Sequence, residues 1–145
     1  MTPGVRGARQ RAAAADALLR LMPPLSQHLT AVAAEHGLTV VQALALDRLP
    51  ADAPTPMSEL ARLMRCDTSN LTGIVDRLED RGLIERVTPR TDRRVRAVQL
   101  TDAGRELRAS VSRAVREGNP LLAGLSAQEC DALTTLLDRV LAADG

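Results

Sequence analysis

Two groups of residues carry most of the chemistry open to this chain. The first is a run of small polar side chains, Thr68, Ser69, Asn70 and Thr72, followed by Gly73, Asp76 and Arg77. The second is a knot of five arginines, Arg86, Arg90, Arg93, Arg94 and Arg96, with Asp92 as the only acid in the interval. Hydroxyls and amides can donate to and accept from base edges, and guanidinium groups suit phosphates and the negative potential of a narrow minor groove. This is the chemistry of recognition rather than of bond making. An enzyme would need a nucleophile beside a base, paired carboxylates, a phosphate-cradling loop or a ligand cluster. Ser, His and Cys occur without a recognisable catalytic motif, and there is no Gly-rich phosphate loop, so the chain reads as a non-enzyme. Net charge is only +1, so the arginine knot is a local basic edge, as a local target requires.

Periodicity says which elements hold these groups. Leu71, Ile74, Val75 and Leu78 stand at i, i+3, i+4 and i+7, the core stripe of a helix over about 68–81 with Asp67 as its cap and Gly82 as its stop. Its outward residues are the polar set, and its N-terminal end carries positive dipole character suited to phosphate. "PMSELARLM" before it gives a short helix with Met57, Leu60, Ala61 and Met64 on one face, and the pair makes a helix-turn-helix. "LIERV" and "VRAVQL" read as two short strands around the loop "TPRTDRR", a two-stranded wing with its arginines at about 88–95. A helix fits the major groove and a basic hairpin can reach the adjacent minor groove.

The rest of the chain is helical. A helix is expected from about Ala8, with Ala14, Leu18, Leu21 and Met22 as its apolar residues. Pro23 and Pro24 should kink or restart it, and the continuation stops at Gly37. Thr39 can cap "VVQALALDRL", and "PADAPTP" is a loop by composition. Thr101 can cap a helix over 102–117 that buries Leu107, Val111, Ala114 and Val115. "SAQE" is a capping box for a terminal helix with Cys130, Leu133, Leu137, Val140 and Leu141 inward. The fold class is mainly α (α+β).

Composition narrows the function classes. At 145 residues and 45% hydrophobic content the chain suits one compact domain. It has no Phe, Tyr or Trp, which favours Leu- and Ala-rich helices and removes the aromatic platforms on which single-strand binders stack bases. Cys66 and Cys130 make no disulfide framework and fit a reducing cytosol. Asp16 and Arg20 interrupt the N-terminal apolar stretch, and no run approaches ~20 apolar residues. The expectation is a soluble cytoplasmic protein without a membrane partner. His28 and His36, eight residues apart, would lie ~12 Å apart even on one helix, so they read as structural or surface side chains, and neither metal nor cofactor is expected. Cys66 and Cys130 read as packing thiols.

Taken together, "LTVVQ", "MSELARLM", "SNLTGIVDRLEDRGLIER", "DRR" and "LTDAG", in order from Leu38 to Leu107, resemble the MarR family of bacterial transcription regulators. The resemblance implies a winged helix-turn-helix core at 38–101, flanked by dimerisation helices at 8–37 and 102–143 in a single domain over 1–145. It implies a homodimer on a pseudo-palindromic double-stranded DNA operator, often a repressor that responds to a small-molecule effector. Family pockets lie between the dimerisation helices and the winged domain and often take small aromatic acids; here aliphatic side chains would line one and an arginine could close it. Carried over by position, Thr68, Ser69, Asn70, Thr72, Gly73 and Arg77 fall on the recognition helix and Arg90, Arg93 and Arg94 on the wing. Arg94 matches the wing-tip arginine, and Asp92 would orient it through a charge-assisted hydrogen bond. Many relatives carry Arg or Lys where this chain has Gly73, which removes a long base-reading side chain. Two other readings stand beside this one: a thiol-based redox regulator acting through Cys66, and a winged helix used only for protein contacts.

Overall fold

The computed structural model describes residues 3–88 and 94–142, with side chains from Arg6 onward. Among the described residues six helices and three strands follow in order: α1 Pro3–Glu35, α2 Val40–Arg48, β1 Thr55–Pro56, α3 Met57–Met64, α4 Thr68–Asp80, β2 Ile84–Val87, β3 Ala97–Leu100, α5 Asp102–Glu117 and α6 Ala127–Ala142. A 3-10 turn, Pro120–Leu122, precedes α6. The chain divides into two compact units, Ser26–Glu117 and a second one made of Met1–Leu25 with Gly118–Gly145. Among the described residues no single helix is long and apolar enough to cross a membrane.

The Ser26–Glu117 unit holds the core. Leu46, Leu49, Leu60, Leu71, Leu78, Ile84 and Leu100 are fully buried there together with Val75 and Val98. Leu, Val, Ile and Ala build it without a single ring. The stripe expected on α4 is confirmed: Leu71, Val75 and Leu78 are buried and Ile74 packs against them. Val111 is buried on α5, with Leu107, Ala114 and Val115 half-buried against the same core. His28 and His36 tie the end of α1 to α5. His28 Nε2 donates to Val115 O at 3.2 Å, and His36 donates from Nδ1 to Val32 O at 2.8 Å while Nε2 pairs with Ser110 Oγ at 3.0 Å.

Helix boundaries follow the local chemistry. Thr39 and Gln42 form a reciprocal capping box, and Asp67 caps α4 through Asn70 N. Three helices end with the same backbone device, in which the N–H two residues past the last turn reaches back to an unsatisfied carbonyl: Leu38 to Ala33 O, Cys66 to Ala61 O and Leu83 to Leu78 O. The device needs a left-handed residue. Gly37 and Gly82 supply it at φ 66° and 68°, but between α3 and α4 it is Arg65, at φ 50°. A side chain in that region costs about 1–2 kcal/mol, so the tight turn of the helix-turn-helix is held against a local preference.

The structure revises three expectations. Pro23 and Pro24 do not restart the helix: α1 runs through them from Pro3 to Glu35. Their missing N–H groups leave the carbonyls of Leu19 and Arg20 without a donor four residues on, and both residues are exposed, so water can serve instead. The wing strands belong to a three-stranded antiparallel sheet of order β1-β3-β2. Thr55 and Pro56, read as loop, pair with Val98 and Ala97. Finally, the apolar stripe of α6 is not inward in the single chain. Cys130, Leu133 and Leu137 are half-buried, and Val140 and Leu141 are 56% and 70% exposed. Among the described side chains of the Met1–Leu25 and Gly118–Gly145 unit none is buried, so these helices have an apolar face and no core of their own.

Candidate nucleic-acid interface

α4 presents its polar set to solvent. Thr68, Ser69, Asn70, Thr72, Gly73, Asp76 and Arg77 are all exposed, opposite the buried Leu71–Val75–Leu78 stripe. The division follows from the 3.6-residue period, because the residues that do not face the core have nowhere else to point. Gly73 has open space around it: a Cβ there would meet nothing within 4 Å, and its backbone is ordinary helix. No packing requirement inside the chain therefore explains a glycine in mid-helix.

The N-terminal end of α4 is already occupied by an anion. Asp67 accepts from Asn70 N at 2.8 Å and from the Ser69 hydroxyl at 2.7 Å through Oδ1, and from Asn70 Nδ2 at 3.1 Å through Oδ2. The Asn70 backbone N–H first, and then the Ser69 hydroxyl, hold the Asp67 carboxyl below the usual carboxylate range. Thr72 donates its hydroxyl to Thr68 O at 2.8 Å. The sequence marks Asp67 as a cap; that the same carboxylate also anchors two outward polar side chains is visible only once the helix is formed.

The arginine knot separates into parts. Arg86, on β2, is bound to Asp76 and Glu79 on α4 and is not available as free wing charge. Asp76 chiefly, aided by Glu79, raises the Arg86 guanidinium above its usual range. Arg86 N also donates to Glu79 Oε1 at 3.1 Å. The clamp fixes the start of the wing against α4, and no local sequence signal links residues seven and ten positions apart in different elements. Arg94 and Arg96 are exposed beside β3. Arg90, Asp92 and Arg93 lie outside the described residues.

Cys66 is half-buried and packs against the core at the entry to α4. A cavity of about 130 Å³ lies in the same unit. Leu29 of α1, Val40, Ala43 and Leu44 of α2 and Val111 and Val115 of α5 give it aliphatic walls, and Arg108, Ser112, Arg116 and Asp47 supply its polar groups. Its lining comes from three separated segments, which hides it from a linear reading.

Comparison with known proteins agrees with this architecture. The MarR family model matches residues 38–95. A probable transcriptional regulator from Pseudomonas aeruginosa is 36% identical at a TM-score of 0.64, over 83% of this chain and 93% of its own. A MarR-family transcriptional regulator from Silicibacter pomeroyi is 27% identical at a TM-score of 0.69, over 89% and 88% of the two chains. The transcriptional repressor CouR, bound to a 23-mer DNA duplex, is 29% identical at a TM-score of 0.73, over 86% and 89%. With the helix-turn-helix, the wing and this match in hand, the chain belongs to the MarR family of transcriptional regulators.

Proposed function

We propose that the chain is a sequence-specific regulator of transcription that binds double-stranded DNA as a homodimer. In this reading α4 lies in the major groove, with Thr68, Ser69, Asn70, Thr72, Gly73 and Arg77 toward the bases. The wing carries Arg90, Arg93 and Arg94 into the minor groove, with Asp92 orienting Arg94. The observation that carries the reading is the exposed polar face of α4, held rigidly by a fully buried apolar face and clamped to the wing by Arg86. The similarity to a repressor seen on a DNA duplex supports it. Titrating the pure protein with the DNA upstream of its own gene and with an unrelated duplex tests it. Preference for the first supports the reading; equal or absent binding overturns it, and absent binding favours a domain used for protein contacts.

Dimerisation is supported by the exposed apolar residues of α1 and α6. Leu18, Leu19, Leu21, Met22, Leu136, Val140 and Leu141 are between 39% and 70% exposed, and apolar surface of that extent on a single chain calls for a partner. In the proposed organisation 8–37 and 102–143 pair the subunits and 38–101 reads DNA, within one domain of a cytoplasmic protein. Two subunits then meet a pseudo-palindromic operator through one helix each. Sedimentation of the full chain checks this: a species of one chain at micromolar concentration opposes it.

We further propose a ligand-responsive repressor, with the aliphatic cavity as the effector site. Arg108 and Arg116 give it affinity for a small organic anion, and the walls of Leu29, Val40, Val111 and Val115 suit an apolar body. A complex with upstream DNA is challenged with aromatic and aliphatic carboxylic acids and with the corresponding neutral amides. Release by an acid and not by its amide supports the site; a reporter that falls when the protein is expressed supports repression. Cys66, packed against the core, serves the fold in this reading rather than a redox switch.

A further inference from the structure

On the N-terminal half of α4 the side-chain hydrogens of Ser69 and Thr72, and one of the two on Asn70, are committed inside the protein. Ser69 has one hydroxyl hydrogen, and it goes to Asp67 Oδ1 at 2.7 Å. Thr72 has one, and it goes to Thr68 O at 2.8 Å. Asn70 has two amide hydrogens; one is anchored on Asp67 Oδ2 at 3.1 Å, while its backbone N–H goes to Asp67 Oδ1 at 2.8 Å. A hydroxyl whose only hydrogen is spent has nothing but lone pairs to offer. The Asn70 amide cannot exchange its ends without losing that anchor and setting Oδ1 against a carboxylate. All of these side chains are exposed, so what they offer outward is Ser69 Oγ, Thr72 Oγ1 and Asn70 Oδ1, with one Asn70 N–H beside the last.

In the major groove the hydrogen-bond donors are the amino groups of adenine N6 and cytosine N4, whereas guanine O6 and N7 and thymine O4 accept. Phosphate oxygens also accept, and the ionised Asp67 cancels the attraction that a helix N-terminus otherwise exerts on them. We infer that Asp67 is a positioning residue which, together with the Thr68 carbonyl, makes the front of the recognition helix a hydrogen-bond acceptor surface selecting exocyclic amino groups of DNA bases. The inference rests on the DNA-binding reading above and names the base chemistry that this helix reads. Donor chemistry toward guanine is left to Arg77, one turn beyond Gly73 on the same exposed side.

A duplex pool with a randomised centre tests the inference, selected separately with full-length wild type, Asp67→Asn and Asp67→Ser. Asp67→Asn keeps a good cap and nearly the same shape, but its amide can offer Asn70 an N–H, so Asn70 is able to turn its oxygen inward. Asp67→Ser also keeps a cap and removes the anchor on Nδ2, which preserves the test if the first variant fails to fold. Wild type should enrich adenine or cytosine at a symmetric pair of positions on one strand. Replacing that base by its analogue lacking the amino group should lower wild-type affinity by about tenfold, the scale of one good base contact. The variants should lose the preference and become nearly insensitive to the analogue, with Asp67→Asn moving toward guanine or thymine. Folded variants that keep the wild-type preference and the same tenfold penalty overturn the inference alone, as does wild-type enrichment of guanine or thymine there. A wild type that enriches no sequence overturns the DNA-binding reading and the inference with it.

Discussion

Gly104 and the carbonyl of Leu83 touch so closely that a Cβ on Gly104 would lie 1.8 Å from Leu83 O. The same carbonyl accepts the Thr101 N–H at 3.1 Å, and the Thr101 hydroxyl donates to Gly82 O at 2.6 Å. The first turn of α5 is thus laid directly on the backbone that joins α4 to β2. Gly104→Ala should destabilise the protein by about 1–3 kcal/mol or more, because backbone must move to admit the methyl. Urea unfolding followed by helical circular dichroism checks it, and wild-type stability would show that the contact yields easily.

Gly73 should behave in the opposite way. With nothing within 4 Å of a Cβ there, Gly73→Ala should stabilise the chain by about 0.5–1 kcal/mol through helix propensity alone. Affinity for operator DNA should nevertheless fall by about tenfold, as the methyl holds the helix away from the bases. Measuring the melting temperature and the dissociation constant on the same preparation separates the two effects. A stabilised variant with unchanged affinity would mean that no base edge lies against this position.

Asn70 and Arg94 should divide recognition between them. Asn70→Ala should lower affinity for the operator by about tenfold or more and leave a scrambled duplex almost unaffected, since the proposed contact is with a base. Arg94→Ala should weaken both duplexes and flatten the dependence of log affinity on log salt by roughly one counterion per subunit. A salt series on both duplexes checks this; wild-type affinity throughout for a folded Arg94→Ala would remove the wing from the interface.

The Asp67 carboxyl gives a pH dependence of known sign. Its native value is depressed by the Asn70 N–H and the Ser69 hydroxyl, so the unfolded chain binds the proton first as pH falls. Its contribution to stability is therefore complete above the ordinary aspartate value of about 3.9 and disappears as pH drops through the lower native value. The stability difference between wild type and Asp67→Ala should be constant from neutral pH down to about pH 5 and shrink in more acid solution. A difference that grows on acidification would contradict the observed hydrogen bonds.

The parts of the fold legible in the sequence are those set by near neighbours. Thr39, Asp67 and Ser126 announce helix starts because each bonds to a backbone N–H three residues on. Gly37 and Gly82 announce stops because the closing turn needs a left-handed residue. The stripe from Leu71 to Leu78 fixes which side of α4 is polar, so the exposed candidates are readable without coordinates. β1 escaped because two residues, Thr55 and Pro56, cannot display an alternation and one of them is a turn former. The neutralisation of Arg86 by Asp76 and Glu79 escaped because it joins a helix to a strand in space, and charge counted along the wing leaves those acids out. The burial expected for Val140 and Leu141 failed because an apolar stripe states that a face needs covering and not which chain covers it.

The sheet has two outer strands, and each has part of its edge withheld from further pairing. β1 is two residues long and ends in Pro56, which has no N–H to offer a neighbour. On β2 the Arg86 N–H already points at the Glu79 carboxylate, so part of that edge is used within the chain. An open edge invites another strand. Glu79 thereby takes up, from within the chain, an N–H through which another strand could have paired, whatever DNA the helix reads.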